Sequence, residues 1–312
     1  MQRKLILDTD CGADDALAIA YALAHPDLDL AGVTTVFGNT GVEKCTLNAM
    51  RLLQHWGSKS EVAEGAAAPR GDAPNRWFYP ADMKDGLGDA VFPPLDRQAS
   101  TLPAADFLVE IVKQHPGDID ICAIGPLTNI AAALDRDPSF AGNVRSLIVM
   151  GGAVFRPGNT TAFAEANISN DPAAAQAVFS AIDRVVLAPL DVTEQTDLDE
   201  RFFTRLAAAN PGCGDVLATV TGSFRRMGRR LWDDGGFVPH DLLTLAFLTD
   251  PGLFQSVQGR LSVTLDGAEI GRTLFDNAGT GPHRVLTGID AGAFAALAFR
   301  VLAALDSGGA TA

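Results

Sequence analysis

Four carboxylates, Asp8, Asp10, Asp14 and Asp15, fall within eight residues of the stretch Leu7-Asp8-Thr9-Asp10-Cys11-Gly12-Ala13-Asp14-Asp15. Carboxylates this close repel one another. A helix N-terminus relieves one or two of them through its free N–H groups and dipole. The others need a proton or a cation. Only oxygen donors are at hand, with no Cys/His set at metal spacing nearby, so a hard cation such as Ca²⁺ or Mg²⁺ fits. The bland alternative makes Asp10 a cap and Asp14 and Asp15 first-turn residues. Four acids together, and Gly12 permitting a tight turn or close backbone approach, favour the cation site over that alternative.

The same stretch opens with Asp8-Thr9-Asp10 after an apolar run, which is also the D-x-D pattern of aspartyl phosphotransferases. In that reading Asp8 attacks phosphorus with Mg²⁺ in attendance. The usual continuation of that pattern is absent, because Cys11-Gly12-Ala13 follows. Asp14 and Asp15 would also repel a phosphate.

These residues must be held by a strand that ends before Asp8 and a helix that begins near Ala13. Short apolar runs predict strands over Lys4–Leu7, Leu30–Phe37, Ile119–Ile124, Ser146–Met150 and Arg184–Ala188, with later ones at Arg260–Leu265 and Arg284–Thr287. Several lack alternation, as expected of parallel strands buried on both faces. Helical patterns over 13–24, 42–56, 128–135 and 172–182 follow the early strands; two more lie near 214–231 and 292–305. Strand–helix alternation predicts an α/β fold: one domain over residues 1–306, an open, mainly parallel sheet flanked by helices, and a flexible tail at 307–312. Residues 57–102, rich in Gly, Pro, Ala and Asp, read mostly as loop, and a loop this long is usually functional. In open sheets of this kind ligands bind beyond the carboxyl ends of the strands, where the acidic stretch lies.

Bulk composition narrows the partners. With 24 Lys and Arg against 38 Asp and Glu, the 312-residue chain carries a formal charge of −14. That opposes nucleic-acid binding, which depends on cationic neutralisation of phosphates, but not a small neutral substrate. The one basic run, Ser223–Trp232, therefore reads as a helix face bordering a pocket. Apolar runs are too short for a signal peptide or a membrane span, so no membrane is expected as a partner. Cys11, Cys45, Cys122 and Cys213 are scattered without a CxxC pair, which points to a reducing, cytoplasmic setting.

Further along the chain stand Gly38-Asn39, Gly125-Pro126-Leu127-Thr128-Asn129, Met150-Gly151-Gly152, Gly158-Asn159, Ala164-Glu165-Ala166-Asn167 and His240-Asp241, several of them at strand ends. Pro126 donates no hydrogen bond and Gly125 turns sharply, so the carbonyl of Ile124 is expected to be free for a ligand. Together with D-x-D-x-G-x-D-D, this order and spacing resembles the inosine–uridine-preferring nucleoside hydrolase family, from about Lys4 to Phe299.

The resemblance implies a Rossmann-like core and cleavage of the N-glycosidic bond of ribonucleosides, with one Ca²⁺ per subunit. It implies that Asp10, Asp15, Asp241 and the Ile124 carbonyl ligate calcium, with Asp8 behind them, and that Asp10 is also the base that activates the attacking water. It assigns Asp14, Asn39 and Asn167 to the ribose hydroxyls, Asn159 and Glu165 to the 5′ side, and His240 to the base, as proton donor to the leaving group. A homodimer or homotetramer is implied as well. Eight oxygen ligands suit Ca²⁺ and exceed what Mg²⁺ takes. Positive charge developing on the sugar would be stabilised by the surrounding carboxylates and amide oxygens. Two other readings stand beside this one, the Mg²⁺-dependent phosphohydrolase using Asp8 and a non-catalytic nucleoside or sugar binder.

The chain departs from the family's pattern at two places. Cys11 stands where Pro is usual, and Asp82 stands where a base-facing His is common. The second departure leaves purine or pyrimidine preference open. Trp232 has two readings, a stacking partner for the base or a core residue; Phe163 is open in the same way. His25, His55, His115 and His283 are expected at the surface. Asp171-Pro172 is expected to start a helix, with Asp as cap and Pro in the first turn. Asp191-Val192-Thr193 matches a family segment, but no chemistry follows from it.

Overall fold

A computed structural model describes residues 2–76, 78, 85–231 and 236–306. Asp82, Trp232 and the tail 307–312 lie outside the described residues.

The first strand shows how the sheet is buried. In β1 (Arg3–Thr9) Leu5 and Leu7 enter one apolar layer while Ile6 enters the other. Successive side chains point to opposite faces, so a strand covered on both sides must be apolar at every position. The other strands are β2 (Leu28–Thr35), β3 (Glu61–Glu64), β4 (Ile119–Ala123), β5 (Val144–Met150), β6 (Val185–Ala188), β7 (Phe254–Val263), β8 (Thr273–Asp276) and β9 (His283–Ile289). They form one nine-stranded sheet in the order β3-β2-β1-β4-β5-β6-β9-β7-β8. Pairing is parallel from β3 through β9, and antiparallel where β7 meets β9 and β8. The single-domain, mainly parallel α/β architecture is the one expected.

Helices Ala13–Ala24, Val42–His55, Pro211–Leu231, Leu242–Thr249 and Ala291–Ala303 contribute to the layer on one face. Helices Ala104–Gln114, Thr128–Arg136 and Pro172–Ala181 contribute to the other. Among the described residues no helix is long and apolar enough to cross a membrane.

The strand order creates a crevice. From β1 the chain runs outward to β2 and β3, then returns to place β4 on the other side of β1. Connections leaving β1 and β4 diverge to opposite sides, and the gap between them at the carboxyl ends is where such sheets bind ligands. The acidic stretch leaves β1 there, and Ile124 leaves β4 there.

Three expectations change. The segment 57–102 contains β3, and β7 begins at Phe254 rather than Arg260. Both strands lie toward the sheet margins, where one side is solvated and residues such as Glu61, Glu64, Gln255 and Ser256 interrupt the apolar pattern. His283, expected at the surface, is fully buried. Leu261 donates its N–H to His283 Nδ1 (2.8 Å), so the ring proton sits on Nε2 and points to the Ile182 carbonyl (3.2 Å).

Much of the loop 65–76 is fastened across the carboxyl ends. Phe37 donates to the Ala66 carbonyl, Ala66 to Asn129 Oδ1, and Arg70 to Asp171 Oδ2. Asp171 also accepts from Ala174 and Thr128, with Pro172 in the first turn, which is the helix start expected.

Candidate active site

The turn after β1 is built to crowd carboxylates. Cys11 takes a left-handed backbone (φ 41°), which proline, locked near −65°, cannot adopt. Its N–H donates to Thr9 Oγ1 (3.0 Å). Thr9 in turn donates to Asp15 Oδ1, while Gly12 N–H donates to Asp15 Oδ2 (2.6 Å). Asp15 thereby reaches back over its own helix start and accepts the N–H of the cap residue Gly12, which fixes the carboxylate at the positive end of the dipole.

Asp10 is held from the β2 side. Asn39 donates its backbone N–H to Asp10 Oδ2 (2.7 Å) and its amide Nδ2 to Asp10 Oδ1 (2.9 Å) and Asp15 Oδ2 (3.2 Å). The approach leaves no room for side chains on the flanking glycines. A Cβ on Gly38 would sit 2.0 Å from Asp10 Oδ2, and one on Gly125 would sit 3.0 Å from Asp10 N.

Asp241, at the start of the helix Leu242–Thr249, comes up beside Asp14 and Asp15. One carboxylate oxygen from each of these three lies within 4.8 Å of the others. Burial pushes the Asp14 carboxyl up to about 7, and the neighbouring Asp15 charge adds to the rise. Burial first, then the surrounding acids, lifts Asp10 and Asp241 well above the usual carboxylate range, and Asp15 is raised by burial too. No Lys or Arg ion pair reaches Asp10, Asp14, Asp15 or Asp241 among the described residues. A set of buried and half-buried oxygen donors with unrelieved like charge is chemically suited to a divalent cation. The tightest set is Asp14, Asp15 and Asp241, with Asp10 turned onto Asn39.

Asp8 is fully buried, with Thr34 Oγ1 (2.5 Å) and Asn129 Nδ2 (2.8 Å) on Oδ1, and no partner on Oδ2 among the described residues. Burial raises its carboxyl to about 6. A nucleophile must be reached by substrate, and this one is not, so the phosphohydrolase reading falls.

The carbonyl of Ile124 is not free. It accepts Asn167 Nδ2 (3.2 Å), which also donates to the Met150 carbonyl (3.1 Å), so one amide ties the ends of β4 and β5 together. A second lone pair remains on Ile124 O. Asn167 Oδ1 has no partner among the described residues. Glu165 caps the helix Ala166–Asn170, accepting from Gly152 (2.8 Å), Asn167 (2.9 Å) and Ile168 (3.1 Å). Asn159 is exposed and accepts from Ala166 N–H (3.0 Å). Phe163 lies under the Arg272 guanidinium, 5.6 Å from ring centroid to carbon.

His240 is half-buried, and its Nδ1 lies 2.8 Å from Thr193 Oγ1. Burial, then the Arg156 charge, lowers its pKa to about 4. Thr193 and Asn129 are the contacts that sequence reasoning missed. Both stand in recognisable sequence motifs, but their partners are 47 and 121 residues away. In the basic run, Arg225 is buried, pairs with Glu200 (2.6 Å) and stacks on Phe203, while Arg226 pairs with Asp89 (2.8 Å).

Comparison with known proteins decides what this constellation belongs to. The profile of the family described as "Inosine-uridine preferring nucleoside hydrolase" matches residues 5–296. The chain belongs to this family. Nucleoside hydrolases similar to it include uridine nucleosidase 1 of Arabidopsis thaliana, 37% identical over 86% of this chain and 81% of that protein. The non-specific ribonucleoside hydrolase RihC of Salmonella paratyphi A is 41% identical over 80% of both chains. Among solved structures, a purine-preferring ribonucleoside hydrolase from Gardnerella vaginalis superposes with a TM-score of 0.91 at 31% identity, covering 98% of this chain and 99% of that one. As a nucleoside hydrolase the chain is a hydrolase of N-glycosyl bonds. The relatives' names span uridine, purine and broad preferences, so base choice varies within the family.

Proposed function

We propose that this chain hydrolyses the N-glycosidic bond of neutral ribonucleosides to ribose and free base, with calcium at the carboxylate cluster. The convergence of Asp10, Asp14, Asp15 and Asp241 in the crevice between β1 and β4 carries the reading. Asp10, Asp15, Asp241 and the second lone pair of Ile124 O would hold the ion; the oxygen-only donor set and its uncompensated charge fit Ca²⁺. When bound, calcium would orient the ribose diol and lower the pKa of water.

The protein's own groups then have distinct tasks. Asp10 takes a proton from the attacking water, its carboxylate oriented by Asn39. Asp14 and the free oxygen of Asn167 accept from the ribose hydroxyls, with Asn39 beside them. Their negative and dipolar charge favours the cationic sugar of the transition state. Water oxygen bonds to C1′, the C1′–N bond breaks, and its electron pair stays on the base nitrogen. His240 faces that base and serves the leaving group. Asn159 and Glu165 bound the 5′ side, and Asp8 stands behind the cluster, anchoring β1 to β2 and to Asn129.

A pocket this acidic disfavours a 5′-phosphate. The four buried thiols support a cytoplasmic setting. The exposed Phe155, edge to face with Phe275 beside Leu274, supports a homodimer or homotetramer. A reducing-sugar assay over purine and pyrimidine nucleosides, with uridine 5′-monophosphate as control, tests the reading. Ribose from nucleosides and little product from the nucleotide are expected. Equal turnover of uridine and its monophosphate would contradict the neutral-substrate assignment, and no ribose from any nucleoside would contradict the activity.

A further inference from the structure

The segment Leu190–Thr193 follows β6 at the carboxyl edge of the sheet, and its two polar side chains both point at site elements. Asp191 accepts the N–H groups of Val154 (2.8 Å) and Phe155 (2.7 Å), clamping the loop that leads to Asn159 and Glu165. Thr193 is fully buried and places Oγ1 2.8 Å from His240 Nδ1.

This contact has a preferred direction. His240 Nδ1 is the only hydrogen-bond partner of the Thr193 hydroxyl among the described residues. A buried hydroxyl hydrogen needs an acceptor. If Nδ1 carried the ring proton and donated to Thr193, the hydroxyl hydrogen would be left without one. With Oγ1–H donating to Nδ1, both groups are satisfied, and the ring proton resides on Nε2. The Thr193 backbone that carries the hydroxyl is anchored in turn. Thr193 N–H donates to the Pro189 carbonyl (3.1 Å), and Thr196 Oγ1 donates to the Thr193 carbonyl (2.7 Å).

We propose that Thr193 is a positioning residue for leaving-group departure: its hydroxyl holds His240 in the Nε2–H form and aims that N–H at the nucleobase. The proposal rests on His240 serving the leaving group, as set out above. As the C1′–N bond breaks, the electron pair moves to the base, and an N–H pointed there stabilises the developing charge. A base that leaves as a poor anion needs this donor. A leaving group that is already a stable anion, such as 4-nitrophenolate, does not.

The test uses the full chain with calcium and two substrate types, a nucleoside (uridine or inosine) and 4-nitrophenyl β-D-ribofuranoside. Thr193→Val removes the hydroxyl at nearly constant volume, and Thr193→Ser restores it. For Thr193→Val the expected result is a kcat on nucleosides lower by about tenfold or more, with KM changed far less and the nitrophenyl riboside unaffected. Thr193→Ser should recover most of the nucleoside kcat. Equal loss on both substrates would assign Thr193 to packing alone and overturn the proposal. So would unchanged turnover of both, or a Ser variant as slow as Val. If the unmodified protein cleaves neither substrate, the functional reading itself fails, which is a separate outcome.

Discussion

Asn39 holds both oxygens of Asp10, one through its backbone N–H at 2.7 Å and the other through its amide at 2.9 Å, and the same amide reaches Asp15 at 3.2 Å. One residue after β2 thus sets the spacing of two acids that flank the turn after β1. Hydrogen bonds to charged groups are worth roughly 1.5–3 kcal/mol each. Asn39→Ala keeps the backbone bond but frees Asp10 Oδ1 and removes the bridge to Asp15. The expected outcome is a kcat/KM for nucleosides lower by about tenfold to a hundredfold, with the circular-dichroism spectrum unchanged. Activity within twofold of the parent would show that the bridge is idle.

Asp241 offers a test in which stability and binding move in opposite directions. In the metal-free protein burial, then the neighbouring Asp14, Asp15 and Asp10, opposes ionisation of Asp241. Asp241→Asn removes that repulsion, so the chelator-treated variant should melt a few degrees above the chelator-treated parent. Calcium at about a hundred times its Kd adds about 2.7 kcal/mol, or roughly 5 °C, to the parent. The variant should lose most of this shift. A variant that melts lower without calcium and still gains the full shift would contradict the assignment of Asp241.

Protons and calcium compete for the same carboxylates. The folded-state pKa of Asp14 is raised to about 7 from an ordinary 3.8. A carboxyl raised on folding favours the metal-free native state at low pH, and that contribution is lost as pH rises through about 7. Calcium needs its ligands Asp10, Asp15 and Asp241 ionised, and burial raises those carboxyls as it does Asp14, so its affinity weakens as pH falls. The calcium-induced rise in Tm should therefore be largest above pH 7 and smallest near pH 5. Melting curves at both pH values, with calcium and with chelator, decide it; a shift independent of pH would argue against proton competition.

His283 carries a different linkage, away from the site. Burial lowers its pKa below the ordinary 6.5, because Nδ1 must stay unprotonated to accept Leu261 N–H. A depressed pKa gives stability that is fully present above about 6.5 and is lost as pH falls below it. His283→Asn keeps an acceptor without the titration. The difference in urea-unfolding free energy between pH 7.5 and 5.5 should be more favourable to the variant than to the parent. Parallel pH profiles would remove His283 from the account.

What the sequence revealed, and what it hid, follows the range of the interactions. β1 was legible because Leu5, Ile6 and Leu7 must be apolar on both faces, and the acids of its turn stand next to it in the chain. The helix start at Asp171-Pro172 was legible for the same reason, its cap bond reaching three residues. β3 was not, because Glu61 and Glu64 on a four-residue edge strand leave little apolar signal. The Thr193–His240 and Asp8–Asn129 contacts join residues 47 and 121 positions apart in the chain, and nothing local to either residue announces its partner. His283 was misplaced because a buried imidazole satisfied by two backbone groups looks, in sequence, like any polar residue at a strand start.

The central claim is calcium-assisted hydrolysis with Asp10 as base, and ribose release from uridine and inosine tests it most directly. The assay compares the parent and Asp10→Ala, each stripped by chelator and each resupplied with calcium. Ribose is expected only from the calcium-loaded parent, with Asp10→Ala folded but inactive in both states. Full ribose release by the chelated parent, or near-normal kcat in Asp10→Ala, would contradict it.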